Sequence, residues 1–343
     1  MAQSKIEWTE FTVNPIRARW ADRRDGDRSG HACEKVSPGC RFCYSSQQQH
    51  RFGLPRFDEA PEKYTNGEIE LYLDEAVLRQ VLRRKKPTRY FWCSMTDMFW
   101  RLVPDEWIDQ CFAVMALTPQ HTHMVLTKRA ERMSDHLSDE RRRHEVGSWA
   151  SVNYQYKARQ PTLHPAVRGE FIPWPLPNVQ LGVSTENQKY ADERIPWLLK
   201  TPAAVRFISY EPALGPVDLW DARYKLPDGA TGSAFNWGKG ISLVISGGES
   251  GTNARPAHPQ WFRDVRDQCA AAGVKFFHKQ NGEYHQEEYA SLDTLAGAIL
   301  VAINPADDLR HRKSLPTDAL MVRVCKHAAG RLLDGRTHDE LPQ

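Results

Sequence analysis

Hydrophobic runs are short throughout the chain, and none approaches the roughly 20 residues that a membrane-spanning helix needs. The first seven residues also lack the apolar core of a secretion signal, so we expect a cytosolic protein without membrane contact. Charge of one sign is not in excess, because 46 Lys and Arg residues face 43 Asp and Glu residues, a formal net charge of +3. Such a balance neither requires nor excludes a polyanionic partner.

Cysteine is scarce, with seven residues in 343, and an odd number without a secretion signal argues against a disulfide framework. Metal binding or free thiols are expected instead. Cys33, Cys40 and Cys43 lie close together in a C-x6-C-x2-C pattern, and the Pro38-Gly39 pair inside it favours a tight turn. The remaining cysteines stand on apolar segments and are expected as small buried hydrophobes: Cys93, Cys111, Cys269 and Cys325.

Short apolar segments alternate with amphipathic ones after residue 74, which predicts βα units and a parallel sheet. The predicted strands are a first one within Ile6–Val13, then Tyr90–Cys93, His123–Leu126, Val179–Val183, Val205–Ile208, Ser242–Ile245 and Val274–Phe277. Each strand ends in a polar cluster, and in βα barrels these ends form the rim of the active site. The sequence therefore predicts an α/β fold that forms a partial or complete parallel (β/α) barrel.

Two stretches interrupt the βα pattern and are predicted as insertions into a barrel of residues 1–282. Residues 17–30 are rich in Arg and Asp and are predicted as a loop, and residues 138–177 contain several prolines. Residues 283–343 form a C-terminal extension, and the sequence assigns no role to it.

Three thiols in one loop leave two kinds of metal site open. A structural zinc site needs a fourth protein ligand, which His31 could supply. An iron–sulfur cluster held by three cysteines would instead leave one iron available to a non-protein ligand. Phe42 directly before the last cysteine, and the position of the loop between the first strand and a helix, favour the cluster. Free thiols are the third alternative.

Short motifs in a fixed order accompany the cysteines. They are Ile6–Thr9, Asn14-Pro15, Lys35–Cys40, Cys43-Tyr44, Ser94–Asp97, Leu126–Arg129, Leu181–Ser184, Asn187-Gln188, Arg206–Ser209, Glu211-Pro212, Gly247–Ser250 and Lys279-Gln280. Through them residues 6–282 resemble the radical S-adenosylmethionine (SAM) enzymes and, within that superfamily, a phage-associated branch with a three-cysteine motif. The chain departs from that branch in the long stretch 17–30. It also departs from the commonest superfamily spacing, C-x3-C-x2-C, in its wider first gap.

The resemblance implies that Cys33, Cys40 and Cys43 hold three irons of a [4Fe–4S] cluster, and that SAM chelates the fourth through its amino and carboxylate groups. One electron, from a donor such as flavodoxin or ferredoxin, would cleave SAM to a 5′-deoxyadenosyl radical that abstracts a substrate hydrogen. Association with phage suggests by analogy that the substrate is a nucleic-acid base or nucleotide, in modification or repair.

The resemblance also implies that the polar strand ends hold SAM. Ser94, Thr96 and Asp97 are expected near the methionyl amine of SAM. Lys128 and Arg129 are expected near its carboxylate, and Ser184, Glu186 and Asn187 near the ribose. For Asp97, capping of the following helix is the alternative role.

Gly247, Gly248 and Glu249 match the GGE motif of the superfamily in letters but follow a late strand. They are therefore expected to approach the adenine or to shape the substrate pocket, and Glu249 has helix capping as its alternative. Lys279 and Gln280 follow the last predicted strand and are weaker candidates for the rim.

Basic stretches allow a different function. Residues 83–86, 141–143 and the arginines of 17–28 could bind phosphates, with Trp20 and Trp149 to stack on bases, or they could be solvated faces. The alternative to a radical SAM enzyme is thus a non-catalytic nucleic-acid-binding protein stapled by zinc. A third hypothesis is an inactive barrel that binds a partner.

Overall fold

Some strand segments of this chain are buried at every position rather than at alternate ones. Every residue of Val179–Ser184 is buried, and so is every residue of Leu243–Gly247. Strands buried on both faces are typical of parallel sheets covered by helices. The computed structural model, which contains such strands, describes residues 1–4, 6–20, 28–52, 56–57, 60–154, 172–220, 224–225, 231–235, 240–287, 298–303 and 318–342.

Between residues 75 and 210 the described helices and strands alternate as expected for βα units. The strands are β1 Ala2–Gln3, β2 Phe11–Val13, β3 Ile16–Trp20, β4 Arg28–Gly30, β5 Ile69–Leu73, β6 Arg89–Trp92, β7 Thr122–Thr127, β8 Val179–Ser184, β9 Val205–Tyr210, β10 Tyr224–Lys225, β11 Thr231–Gly232, β12 Leu243–Gly247, β13 Lys275–Gln280, β14 Tyr284–Glu287, β15 Ile299–Val301 and β16 Ala319–Arg323. The helices are α1 Tyr44–Arg51, α2 Ala60–Thr65, α3 Glu75–Arg83, α4 Asp105–Ala116, α5 Ala130–Ser138, α6 Glu140–Ser148, α7 Gln188–Lys200, α8 Pro259–Ala272 and α9 Lys326–Ala329.

The chain divides into two units. The first consists of Met1–Val183 together with Lys200–Arg206, and the second of Ser184–Leu199 together with Phe207–Gln343. The predicted boundary between a barrel of 1–282 and an extension stays a prediction. No helix among the described residues is long and apolar enough to cross a membrane.

The main sheet of the first unit is mostly parallel. Strand β2 pairs with β6, β6 with β7 and β7 with β8, all in parallel, while β1 is antiparallel to β2. Helix α4 connects β6 to β7, and its Ile108 and Phe112 are buried in the core with Trp92 and Val125 of the two strands. Helix α3 begins after Asp74, whose carboxylate accepts the amides of residues 76 and 77 as an N-cap.

A second sheet in the first unit corrects the prediction for residues 17–30. Strand β3 pairs in antiparallel fashion with β4 and β5, so Arg17 to Trp20 and Arg28 to Gly30 are strands, and the predicted loop is wrong there. Ile16, Ala18 and Trp20 are buried while the arginines between them are partly exposed, which is the two-residue period of a half-buried strand. Residues 21–27, like residues 155–171 of the other predicted insertion, lie outside the described residues.

The second unit carries three parallel strands, β9, β12 and β13, with β12 between the other two. Helix α8 connects β12 to β13, and Gly273 with a φ of 67° ends it in the left-handed conformation that glycine adopts most easily. Each unit thus combines parallel strands with connecting helices, which confirms the predicted α/β fold with a parallel sheet. Closure of these strands into a barrel stays a prediction.

The predicted C-terminal extension folds as part of the second unit. Strands β14, β16 and β15 form an antiparallel sheet, and α9 follows. Further along, the amide of His278 in β13 donates to the carbonyl of His338 over 2.9 Å, and Phe277 forms an antiparallel bridge with Asp339. Cys325 in this region is exposed, so its predicted burial is wrong, whereas the other three scattered cysteines are buried.

Candidate cofactor site

The cysteine loop of the first unit is a series of tight turns. Cys40 ends a 3-10 turn that Pro38 begins, and the Cys40 amide donates to the Ser37 carbonyl over 2.9 Å. The Cys43 amide donates in turn to the Cys40 carbonyl over 3.3 Å, and helix α1 starts at the next residue. The turn predicted at Pro38-Gly39 is therefore confirmed, and it leads the last two cysteines to the start of a helix.

Cys43 influences Cys33 electrostatically, Cys40 influences Cys43, and none of the three thiols is in a disulfide. Burial raises the pKa of the Cys33 thiol to about 12, and the nearby Arg129 guanidinium opposes this rise while Cys43 adds to it. Burial also raises the pKa of Cys43, which Cys40 raises further and Lys128 lowers. Cations beside buried thiols favour the thiolate, which is the form that binds metal.

The described residues contain no group of three or more His, Cys, Asp or Glu side chains already arranged around a metal position. The chemistry of the loop nevertheless fits an iron–sulfur cluster, because such clusters take thiolate ligands and this loop offers three, and the charges of Arg129 and Lys128 favour ionisation of Cys33 and Cys43. His31, the predicted fourth zinc ligand, has its Nδ1 only 3.1 Å from the Ile16 carbonyl oxygen in β3.

Asp97 lies at the end of β6 and accepts four hydrogen bonds within the protein. Its carboxylate binds the amides of Phe99 and Lys128, the Thr127 hydroxyl at 2.7 Å and the Arg129 guanidinium at 2.9 Å. Burial opposes its ionisation, but Arg129 and these hydrogen bonds hold the pKa of Asp97 below its usual value. Asp97 thus connects the residues after β6 to those after β7. It does not cap α4, whose N-cap is Pro104, so the alternative role as a helix cap is wrong.

Arg129 connects the same strand ends to the cysteine loop. Its second guanidinium nitrogen donates to the carbonyl of Glu34 over 2.9 Å, directly after Cys33. The Glu34 carboxylate in turn accepts the Trp100 indole N–H at 3.0 Å and the Arg101 guanidinium at 3.1 Å. Glu34, the residue that follows Cys33, is therefore held in place through both its backbone carbonyl and its carboxylate.

The backbone of residues 94–95 is bound by residues from two other motifs. The Asn14 side chain exchanges hydrogen bonds with the Ser94 hydroxyl and accepts the Met95 amide at 3.0 Å. After the last cysteine, the Tyr44 hydroxyl donates to the Ser94 carbonyl, and the Ser45 hydroxyl donates to the Met95 carbonyl over 2.8 Å. Tyr44 and Ser45, the two residues after Cys43, thus contact the turn that contains Ser94 and Met95.

Thr96 differs from its neighbours because its hydroxyl oxygen is buried and has no hydrogen-bond partner in the described part of the chain. A buried hydroxyl without a partner is uncommon in native proteins, since it loses its bonds to water without replacement. Of the predicted residues after β6, Thr96 is the one with an unused polar atom for a ligand.

The predicted ribose-binding residues lie at the start of the second unit. Glu186 and Arg194 form a fully buried ion pair at 3.2 Å, and Arg194 also donates to the Ser184 carbonyl over 2.8 Å. The Asn187 side chain accepts the amide of Tyr190 at 3.4 Å, which places it as a cap at the start of α7. The structure thus gives all three of these residues contacts within the protein.

The three residues that resemble the GGE motif have close contacts with their own chain. A Cβ on Gly248 would lie 2.3 Å from the carbonyl oxygen of Asn281, so only glycine fits there. Glu249 is buried, and Arg255 donates to its carboxylate three times, at 2.6 to 2.9 Å. A Cβ on Gly247 would lie 3.2 Å from the Glu211 side chain.

Polar residues also meet at the ends of β9 and β13. Lys279 Nζ donates to Glu211 Oε1 over 2.6 Å, and Gln280 Nε2 donates to the same oxygen over 3.2 Å. A second chain of polar contacts lies in the same unit: Ser246 Oγ is 2.8 Å from His278 Nδ1, and His278 Nε2 is 2.9 Å from Asn281 Oδ1. Ser246 and His278 are completely buried, so this second chain of hydrogen bonds belongs to the core.

The basic stretches make many contacts within the protein. Arg84 lies over the Phe11 ring, Arg141 pairs with Asp139, and Arg142 pairs with the buried Asp109. Trp20 is buried in β3, so the prediction that it is available to stack on bases is wrong. Nucleic-acid binding by these stretches stays a prediction.

Sequence reasoning missed several residues that support the cysteine loop. Asn14, Glu34 and Ser45 stood within or beside the quoted motifs, but their partners lie 50 to 81 positions away along the chain, as the Met95 and Trp100 contacts show. The signal that could have identified these three residues is their position next to the motif residues in the sequence.

Comparison with known proteins gives one family and a small set of solved structures. Two mutants of spore photoproduct lyase, one cysteine-to-serine and one tyrosine-to-phenylalanine, each share 12% identity with this chain and cover 94% of it and 70% of their own length, at a TM-score of 0.38. Spore photoproduct lyase complexed with dinucleoside spore photoproduct shares 12% identity, over 83% and 65% of the two chains, at a TM-score of 0.33. No curated protein sequence matches.

The family model described as "Protein of unknown function (DUF5131)" matches residues 3–342. The match includes the cysteine loop, the parallel strands of both units and the C-terminal extension. Because it spans nearly the whole sequence, this chain belongs to that family.

Proposed function

We propose that this protein is a radical SAM enzyme of the cytoplasm, built on a partial or complete parallel (β/α) barrel, that acts on a nucleic-acid base or nucleotide. Cys33, Cys40 and Cys43 would hold a [4Fe–4S] cluster. The observation that supports this most directly is the attachment of the three-thiol loop to two strand ends through Arg129. When bound, the cluster and SAM would supply a 5′-deoxyadenosyl radical that removes a hydrogen atom from the substrate.

The residues of the chain would bind and orient this cofactor pair. Arg129 and Lys128 counteract the effect of burial on the thiols and so favour the thiolates that the cluster requires. Asp97 fixes Arg129 and the turn after β6. The Thr96 hydroxyl, which lacks a partner in the described ranges, is the polar atom at this turn best suited to a SAM hydrogen bond.

The proposal includes an electron donor such as flavodoxin or ferredoxin, because cleavage of SAM needs one electron. It is tested by anaerobic reconstitution with iron and sulfide. We expect the visible absorption and electron paramagnetic resonance signal of a [4Fe–4S] cluster, and formation of 5′-deoxyadenosine from SAM after reduction. Replacement of Cys33, Cys40 or Cys43 by Ala should abolish both.

Cys325→Ala is the matched control, because Cys325 is an exposed thiol outside the loop. It should leave iron content and 5′-deoxyadenosine formation unchanged. A colourless protein with one tightly bound zinc and no cleavage of SAM would instead indicate the zinc-stapled nucleic-acid-binding protein. A cluster without turnover would favour the inactive, partner-binding barrel.

A further inference from the structure

A polar cluster in the second unit lies outside the predicted SAM-binding residues. Glu211 follows β9, and Lys279 and Gln280 end β13. Lys279 Nζ and Gln280 Nε2 both donate to Glu211 Oε1, at 2.6 and 3.2 Å. The Lys279 and Glu211 side chains are 15% and 18% exposed, so the cluster extends from the protein interior to the surface.

The orientation of the Gln280 amide is determined by its neighbours. Its nitrogen donates to Glu211 Oε1 and to the Gly248 carbonyl, both at 3.2 Å. A flipped amide would direct its oxygen at these two acceptors, so the observed orientation is the one that forms bonds. The Gln280 oxygen is then a buried acceptor without a hydrogen-bond partner in the described part of the chain.

Glu211 and Lys279 each keep hydrogen-bonding capacity that the described residues do not use. Glu211 accepts its hydrogen bonds through Oε1 alone, which leaves Oε2 as a second available acceptor. Lys279 gives one of its three N–H donors to Glu211 and has no other protein partner there. The ion pair also neutralises the lysine charge, which favours an uncharged ligand group over a phosphate.

The number and kind of these unused hydrogen-bonding groups determine which bases could bind to the cluster. One donor group, the Lys279 ammonium, and two acceptor oxygens, Glu211 Oε2 and Gln280 Oε1, complement a ligand edge that has one carbonyl oxygen and two N–H groups. Guanine has this combination on its Watson–Crick edge, in O6, N1–H and the exocyclic amine. Thymine and cytosine present two acceptors and one donor group there, and adenine presents one of each, so none of them satisfies all three protein groups.

We propose that Glu211, Lys279 and Gln280 bind the Watson–Crick edge of a guanine base in the substrate. Lys279 donates to O6, while Glu211 Oε2 and Gln280 Oε1 accept from N1–H and the exocyclic amine. Gly247 leaves the Glu211 carboxylate uncovered, because a Cβ at that position would lie 3.2 Å from the Glu211 side chain. This inference rests on the proposed action on a base or nucleotide and names the base that is bound.

The test is calorimetric titration of the full chain with guanosine, inosine, adenosine, cytidine and thymidine, with and without the reconstituted cluster. We expect guanosine to bind at least about tenfold more tightly than the other nucleosides, including inosine, which lacks the exocyclic amine. Gln280→Met and Glu211→Gln should each weaken guanosine binding by about tenfold or more. Thermal unfolding of each variant establishes that it is folded.

Lys275→Met is the matched control for Lys279→Met, because Lys275 is an exposed lysine at the other end of the same strand. It should leave guanosine binding unchanged, whereas Lys279→Met should weaken it. Equal binding of all nucleosides, no binding of guanosine, or guanosine binding insensitive to folded variants would overturn the proposal. So would binding of nicotinamide, a simple carboxamide, in preference to guanosine. Because binding is measured without turnover, its failure is distinct from a failure to cleave SAM.

Discussion

The Arg129 guanidinium donates to the Asp97 carboxylate over 2.9 Å, and the two side chains are only 13% and 10% exposed. Asp97 follows β6 and Arg129 follows β7, so the pair joins two neighbouring strand ends. The same guanidinium reaches the Glu34 carbonyl beside Cys33. The position of the first cysteine therefore depends on an ion pair formed elsewhere in the chain.

Removal of either partner of this pair should destabilise the protein. Asp97→Asn or Arg129→Gln leaves one nearly buried charge without its counterion, and we expect the free energy of unfolding to fall by roughly 3 kcal/mol. Urea unfolding measures this. The double variant should lose less than the sum of the two single variants, because it leaves no unpaired charge. Arg141→Gln breaks a solvent-exposed ion pair with Asp139 and should have no measurable effect.

Stability should decrease below about pH 6.5 because of His123. Burial lowers the pKa of His123 to about 3, and the Trp92 indole N–H donates to its Nδ1 over 2.9 Å, so the folded protein holds the neutral ring. In the unfolded chain this histidine binds a proton near pH 6.5. Its contribution to stability is therefore complete above that pH and is lost as pH falls toward 3, by up to about 1.4 kcal/mol per pH unit.

Replacement of His123 by Gln should reduce this slope between pH 6.5 and 4.5, before most carboxylates titrate. His144→Gln, at an exposed position in α6, is the control and should leave the slope unchanged. The measurement is the urea midpoint as a function of pH. An unchanged slope in the His123 variant would mean that another group determines the acid sensitivity.

The close approach of Gly248 to Asn281 makes Gly248→Ala a disruptive change. The added methyl group would lie 2.3 Å from a backbone oxygen, so the backbone of β12 or of the following turn must shift. We expect a loss of about 2 kcal/mol or more in urea unfolding. Gly147→Ala is the matched control in α6, where the nearest atom would be 3.8 Å away, and should stabilise the helix by up to about 1 kcal/mol.

Thr96 offers a way to separate stability from cofactor binding. Thr96→Val removes a buried hydroxyl that forms no hydrogen bond to the described residues, so stability should be unchanged or higher. If the hydroxyl binds SAM, the same variant should lower SAM affinity by about tenfold in a titration of the reconstituted protein. Thr127→Val is the contrast, because that hydroxyl donates to Asp97 at 2.7 Å and its loss should destabilise the protein by about 1 kcal/mol. A Thr96 variant with full SAM affinity would exclude this residue from the site.

The parallel strands were predictable because mainly apolar segments such as Val179–Val183 and Ser242–Ile245 are typical of strands that are buried on both faces. The strand Ile16–Trp20 was missed although its buried and partly exposed residues alternate. Its arginines dominated the composition and suggested a loop. Alternation over five residues is a weak signal when charged side chains occupy every second position.

Only those features of the candidate site that depend on residues close together in the sequence were predictable. The cysteine turn follows from Pro38-Gly39, but nothing in the sequence pairs Glu186 with Arg194 or Gly248 with Asn281. These contacts depend on how distant segments pack, and they give protein partners to residues that resemble a cofactor-binding motif. The cofactor prediction rests on the spacing of Cys33, Cys40 and Cys43, whereas the geometry of the candidate site depends on the surrounding contacts.

The backbone contacts between the C-terminal segment and β13 have a consequence for solubility. Residues 338–340 occupy hydrogen-bonding groups along the outer side of that strand, through His278, Phe277 and Phe276. An unpaired strand edge is a template on which other chains can add and aggregate. Deletion of residues 338–340 should therefore expose this edge of β13, and we expect the shortened protein to self-associate before it loses activity.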